Sequence, residues 1–138
     1  MASRNICITE NDKMRLEELI AVVSEFSGHG RKDLEALAQE LARAEIVDPK
    51  EVRPDVVTMN SRVILQDVDT DEEMNYVLVF PKDADVSKGA ISVLAPVGTA
   101  ILGYSKGDVI EWRVPAGMRR IRIKEILYQP ESAGDFHL

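Results

Sequence analysis

The sequence predicts an α+β protein in two parts: a short N-terminal antiparallel helical hairpin, a small coiled coil, over residues 1–50, then an antiparallel β-sheet domain with one short helix over residues 51–138. Three observations predict it. Two stretches with apolar residues at three-four spacing flank the breaker Ser27-Gly28-His29-Gly30. After residue 50 the helical period gives way to short β-branched runs punctuated by turn residues. Within that second part, residues 91–103, followed by Gly107-Asp108 and Pro115-Ala116-Gly117, place a strand, a short helix and two turns at close spacing.

The first helix starts after Thr9, which forms a capping pair with Asp12 three residues on, in an acidic first turn that suits the helix dipole. Leu16, Leu19, Val23 and Phe26 then recur on one face, with Lys13, Arg15, Glu17, Glu18 and Glu25 mostly off it. Beyond the glycine break, Leu34, Leu37, Leu41 and Ala44 resume the stripe in a second helix. Two helices this short gain their stability from packing on each other. Val47-Asp48-Pro49 ends the hairpin, and Pro54 marks the linker. Strands are expected at Val56-Val57-Thr58-Met59, at Ser61-Arg62-Val63-Ile64-Leu65-Gln66 and at Tyr76-Val77-Leu78-Val79-Phe80, the last two joined by the acidic connection of residues 67–73. The apolar run after Ile91 stops at Pro96, a helix follows, and Gly103 ends it. Gly107-Asp108 turns the chain into Val109-Ile110-Glu111-Trp112-Arg113-Val114, and a last alternating strand covers residues 119–126.

With 138 residues the chain can bury one modest core, or a small domain plus a helical appendage. A composition of 45% hydrophobic and 30% charged residues is that of an ordinary globular protein. No apolar run approaches the roughly 20 residues that cross a bilayer. Polar residues interrupt the N-terminus too early for a signal peptide, so a cytoplasmic location without membrane attachment is expected. The formal net charge of −7 argues against coating of duplex nucleic acid and favours a protein partner.

The single cysteine, Cys7, excludes an internal disulfide and a multi-thiolate metal site, and reads as a small buried hydrophobe. The acids of residues 67–73 lack the glycine and the terminal acid of a calcium loop, which leaves a solvated turn. His29 and His137 have no ligand partners at metal spacing, and no glycine-rich lysine loop is present to cradle phosphates. No cofactor or metal is therefore expected. The basic run Arg113, Arg119, Arg120, Arg122 and Lys124 reads either as the solvated face of a sheet or as a patch that docks on an acidic partner.

Ile91, Ser92, Pro96, Ala100, Leu102, Gly103, Gly107, Asp108, Pro115 and Gly117 together resemble the C-terminal domain of the bacterial transcript-cleavage factors of the Gre family. Leu94 and Ala95 depart from that pattern. A narrower resemblance, to the Rnk group of regulators of nucleoside diphosphate kinase, extends over nearly the whole chain. It rests on residues 55–63, on Ala95-Pro96-Val97-Gly98 and on the tail of residues 128–135.

The resemblance implies an FKBP-like sheet domain and RNA polymerase as partner. The contact with the rim of the secondary channel falls on Leu94, Ala95, Pro96 and Val97. It also implies that the hairpin sits at the channel entrance, with candidate tip contacts at His29, Asp33 and Glu35. Gre factors reach through the channel with a much longer coiled coil, whose tip acids in a D-L-x-E context hold a catalytic metal. Here Asp33-Leu34-Glu35-Ala36 places alanine at the second acid and Glu35 one residue early. An arm of about 15 residues at about 1.5 Å per residue spans about 20 Å. Both features favour a regulator that is not an enzyme and that competes with Gre factors, and the kinase is then regulated, not imitated. Two other classes fit parts of the pattern: a transcript-cleavage factor with a shortened arm, and an FKBP-type prolyl isomerase, the latter by fold alone.

Overall fold

The computed structural model describes residues 6–27, 32–114 and 117–135. A three-residue strand, β1 (Cys7–Thr9), runs directly into α1 (Glu10–Ser27). Thr9 Oγ1 accepts the Asp12 N–H at 3.1 Å, so the capping pair read from sequence forms. The return helix α2 (Lys32–Arg43) delivers the chain to β2 (Glu45–Val47), which pairs parallel with β1 in the register Cys7↔Glu45, Ile8↔Ile46, Thr9↔Val47. The sequence reading did not contain this small sheet, because three residues per strand are too few to show a period.

The main sheet has five strands in the order β5-β4-β3-β7-β6. β3 (Arg62–Asp67) and β4 (Glu73–Val79) form the expected hairpin around the acidic connection, in which Asp71 takes a left-handed φ of 61°. Two 3-10 turns, Pro81–Asp83 and Val86–Lys88, then carry the chain to β5 (Ala90–Ser92). That excursion brings β5 back parallel to β4, so the sheet is mixed and not wholly antiparallel as expected. α3 (Pro96–Ile101) follows, then β6 (Val109–Val114), β7 (Gly117–Tyr128) and a final turn of helix, α4 (Pro130–Ala133). β7 lies antiparallel between β3 and β6.

Val56-Val57-Thr58-Met59 is not a strand. All four residues are buried, but each backbone group finds a different partner. Val57 donates to Tyr104 O at 2.9 Å and accepts from Gly103 N–H at 2.9 Å, while Met59 N–H goes to a side chain of α1. Propensity and burial made the segment strand-like in sequence, and the absence of a continuous neighbour keeps it a loop.

The core joins both parts of the chain. Ile6, Ile8, Leu16, Leu37 and Leu41 from the arm cluster with Val57, Met59, Leu65, Leu78, Ile101 and Ile123 from the rest. Leu34, nearer the hairpin tip, is buried but lies outside that cluster. The root of the arm is thus welded to the sheet, and Leu34 is buried beyond that shared core. No helix among the described residues is long and apolar enough to cross a membrane.

Candidate functional site

Three local structures carry the residues singled out from sequence: the turn between β5 and α3, the hairpin tip, and the basic face of β7.

The β5–α3 turn is held by its own backbone. Ser92 Oγ accepts the Leu94 N–H at 3.0 Å, and Ser92 O accepts the Ala95 N–H at 3.0 Å. Ala95 is extended at φ −68° and ψ 149°, as a residue before proline must be, and caps α3 with Pro96 in the first helical turn. Thr99 closes the motif, its N–H returning to Ala95 O at 3.0 Å and its hydroxyl donating to Val93 O at 2.6 Å. Gly98 is required here, since a Cβ would lie 2.2 Å from Ser92 O. Gly103, at φ +83°, ends the helix where a Cβ would meet Ile6 at 2.8 Å. Leu94 and Val97 are half-buried and pack on the core, and Ala95 is half-buried beside them. The turn is therefore held by its own hydrogen bonds, and Leu94, Ala95 and Val97 form a half-buried apolar ridge along it.

At the hairpin tip, His29 lies outside the described residues. Asp33 falls in the first turn of α2, Leu34 is 5% exposed, and Glu35 is solvent-exposed on the same helix. Ala36, also exposed, occupies the position where a second acid would complete the D-L-x-E pattern. Among the described residues no group of three or more His, Cys, Asp or Glu side chains converges as a metal site.

The basic run of β7 alternates as predicted, with Ile121 and Ile123 buried and Arg120, Arg122 and Lys124 exposed. Its charge is largely answered from within the molecule. Arg119 pairs with Asp67 at 2.5 Å, Arg120 with Asp69 at 2.7 Å, and Lys124 with Glu73. The acidic connection and the basic run, read apart in the sequence, are two sides of one ladder. The Arg119 guanidinium, with the N–H groups of Asp69 and Thr70, holds the Asp67 carboxyl below its usual range. This pairing weakens the reading of the run as a free docking patch.

A fourth site escaped the sequence reading. Asp12, 1% exposed, accepts from Arg15 at 2.6 Å through Oδ1 and from the Met59 N–H at 3.0 Å through Oδ2. Burial pushes its carboxyl above the ordinary value, and these donors only partly oppose the shift. The Arg15 guanidinium lies 5.1 Å from the centre of the Phe80 ring. Beside Met59, Thr58 Oγ1 donates to Glu131 Oε1 of α4 at 2.6 Å. The Glu131 carboxyl is raised as well, by burial first and by the neighbouring Asp12 in addition. Gln129 is 2% exposed and donates through Nε2 to Arg53 O and Val56 O, both at 2.8 Å. The tail is closed by Tyr128, whose hydroxyl donates to Asp135, a bond that pushes the phenol up to about 12. The available signal was small: a capping box uses Glu or Gln at its third position, and the shorter aspartate leaves its carboxylate free for another partner.

Comparison with known proteins places this architecture. Residues 50–128 match the family of the transcription elongation factor GreA/GreB C-terminal domain, and residues 4–47 match the Rnk N-terminus; the chain belongs to the GreA/GreB family in its Rnk form. It is 38% identical over the full length of both chains to the regulator of nucleoside diphosphate kinase of Escherichia coli strain K12. It is also 39% identical over 93 residues to the transcription elongation factor GreA of Chloroherpeton thalassium, covering 67% of this chain and 59% of that protein. Among solved structures, a prokaryotic GreA/GreB elongation factor from Nitrosomonas europaea superposes with a TM-score of 0.73 at 45% identity, over 91% of this chain and all of the other. A role related to transcription elongation follows from this membership.

Proposed function

We propose that this chain is a non-enzymatic regulator of cytoplasmic RNA polymerase. It docks at the rim of the secondary channel through Leu94, Ala95, Pro96 and Val97, and its short arm occupies the entrance against Gre cleavage factors. The effect on nucleoside diphosphate kinase levels is then exerted through transcription. In this reading the sheet domain, FKBP-like in fold, is the docking body and the hairpin is the obstruction.

The observation that carries this reading is the arm. Its longer helix, α1, has 18 residues and its shorter, α2, has 12, so at about 1.5 Å per residue the longer helix spans about 27 Å. At its tip Leu34 faces inward and the place of the second acid is taken by Ala36. With alanine in place of the second acid, the tip lacks the acid spacing by which the D-L-x-E pattern holds a catalytic metal and its water. The rigid β5–α3 ridge, apolar and backbone-satisfied, suits a protein contact in which a few packed side chains dominate.

The test is transcript cleavage in a backtracked elongation complex. The purified chain is expected to stimulate no cleavage and to reduce, in proportion to its concentration, the cleavage given by a Gre factor. Stimulation by this chain that disappears in Asp33→Ala would instead establish the short-armed cleavage factor.

A further inference from the structure

We infer that the C-terminal helix α4 sets the direction of the N-terminal arm, with Glu131 as a positioning residue acting through Thr58 and Met59 on Asp12. This inference rests on the arm being the obstructing element.

The arm leaves the body along the line of β1 and β2, which pair side by side over Cys7–Thr9 and Glu45–Val47. Cys7 N–H fixes that line to the body through Gly103 O at 3.1 Å. Two adjacent strands define an axis, and rotation about it is opposed by contacts away from it: the apolar packing of Leu16, Leu37 and Leu41 in the shared core, and a directional polar contact at Asp12. Asp12 stands in the first turn of α1, and its Oδ2 accepts the Met59 N–H at 3.0 Å. A shift of the Thr58–Met59 peptide therefore bears directly on the arm.

That peptide belongs to an irregular loop whose backbone is tied at Val57 to Gly103 and Tyr104 and at Asn60 and Ser61 to Leu78, and between these points side chains hold it. Ser61 Oγ accepts the Thr58 N–H at 2.9 Å and lies 2.9 Å from Thr58 Oγ1. The one hydroxyl hydrogen of Thr58 is committed to Glu131 at 2.6 Å, which leaves Ser61 as donor to Thr58 Oγ1. Glu131 is placed in turn by Pro130 in the first turn of α4 and by Gln129, whose amide grips the start of the same loop at Arg53 O and Val56 O. Residues 12, 58 and 131, remote in sequence, thus form one chain of charge-assisted bonds from tail to arm. Arg15, on the same face of the helix, lies between Asp12 and the Phe80 ring and braces the junction.

The experiment measures the arm directly. In the full-length chain with Cys7→Ser, spin labels at Glu25→Cys on α1 and Glu111→Cys on β6, both exposed, report an arm-to-sheet distance distribution. Glu131→Ala and Thr58→Val are expected to shift or broaden it while helicity is retained, and Glu131→Gln, whose amide oxygen still accepts from Thr58, is expected to restore it. Competition against a Gre factor should weaken in the first two by about tenfold, the size of one charge-assisted hydrogen bond lost from the competent state. Binding to polymerase should persist. An unchanged distribution in folded Glu131→Ala or Thr58→Val overturns the inference, whatever competition does. A shifted distribution with undiminished competition keeps the positioning role and overturns the arm as the obstruction. If Glu131→Ala does not fold, Thr58→Val and Glu131→Gln decide the matter.

Discussion

Asp12 at the root of the arm and Asp67 at the end of β3 are both almost wholly buried, yet their environments act on them in opposite directions. Asp67 gathers the Arg119 guanidinium and two backbone N–H groups, and its carboxyl is held low. Asp12 also has a guanidinium and one backbone N–H, but desolvation outweighs them and its carboxyl is raised. The first aspartate is where the fold places a charge because the charge fits. The second is retained although the charge is costly, and it adds a polar contact between the arm and the irregular 56–61 loop. The difference teaches that the sheet face is built for solubility and register, and the junction for orientation.

The largest effect should come from the apolar backing of the junction. Leu37, fully buried in the core shared by arm and sheet, tolerates no charge, and Leu37→Asp is expected to cost about 4 kcal/mol or more in urea unfolding. Leu34→Asp, outside that shared core, should instead fray the outer hairpin, with loss of helicity ahead of the loss of sheet structure. If both substitutions give the same single transition, the arm has no separable outer part.

Next comes the junction itself against the ladder. Asp12→Ala leaves the Met59 N–H buried without this acceptor and removes the Asp12 carboxylate from Arg15, and should destabilise by about 2–3 kcal/mol. Lys124→Ala removes a pair in which both side chains are nearly half exposed, and should cost less than about 1 kcal/mol. Equal losses would erase the distinction between the two regions.

The smallest effect is a difference in pH slope. Because the folded state raises the Asp12 carboxyl, its contribution is fully present below the ordinary carboxylate range and is lost as pH rises through the folded value. Asp12→Asn should therefore gain on the wild type as pH rises. For Asp67 the folded value is lowered, so its contribution is present above the ordinary range and lost as pH falls. Asp67→Asn should lose ground to the wild type as pH rises. Denaturant midpoints measured across the acid range decide both signs.

Much of the fold was legible because periodic residues report it: the leucines of α2, the alternation of Ile121 and Ile123, and the proline and glycines around α3 each name a local geometry. The β5–α3 turn could be placed residue by residue for the same reason. What escaped the reading has no period. β1 and β2 are three residues each, the 56–59 segment has strand composition without a strand partner, and β5 runs parallel only because of the excursion before it. The junction escaped because its members are single polar residues at positions 12, 58 and 131, and only the tertiary fold brings them together. The ladder was half legible: both charge runs were visible, their mutual pairing was not.

The central claim is that the β5–α3 ridge docks this chain on RNA polymerase, and equilibrium binding of the labelled full-length protein to core polymerase tests it most directly, with Pro96→Asp beside the wild type. Aspartate is well tolerated in the first turn of a helix, so the variant should fold with unchanged circular dichroism. Binding of the wild type, and at least about a tenfold loss in the variant, is the predicted result for a charge set into an apolar contact. Wild-type affinity in a correctly folded Pro96→Asp, or no binding by the wild type at all, would contradict the account.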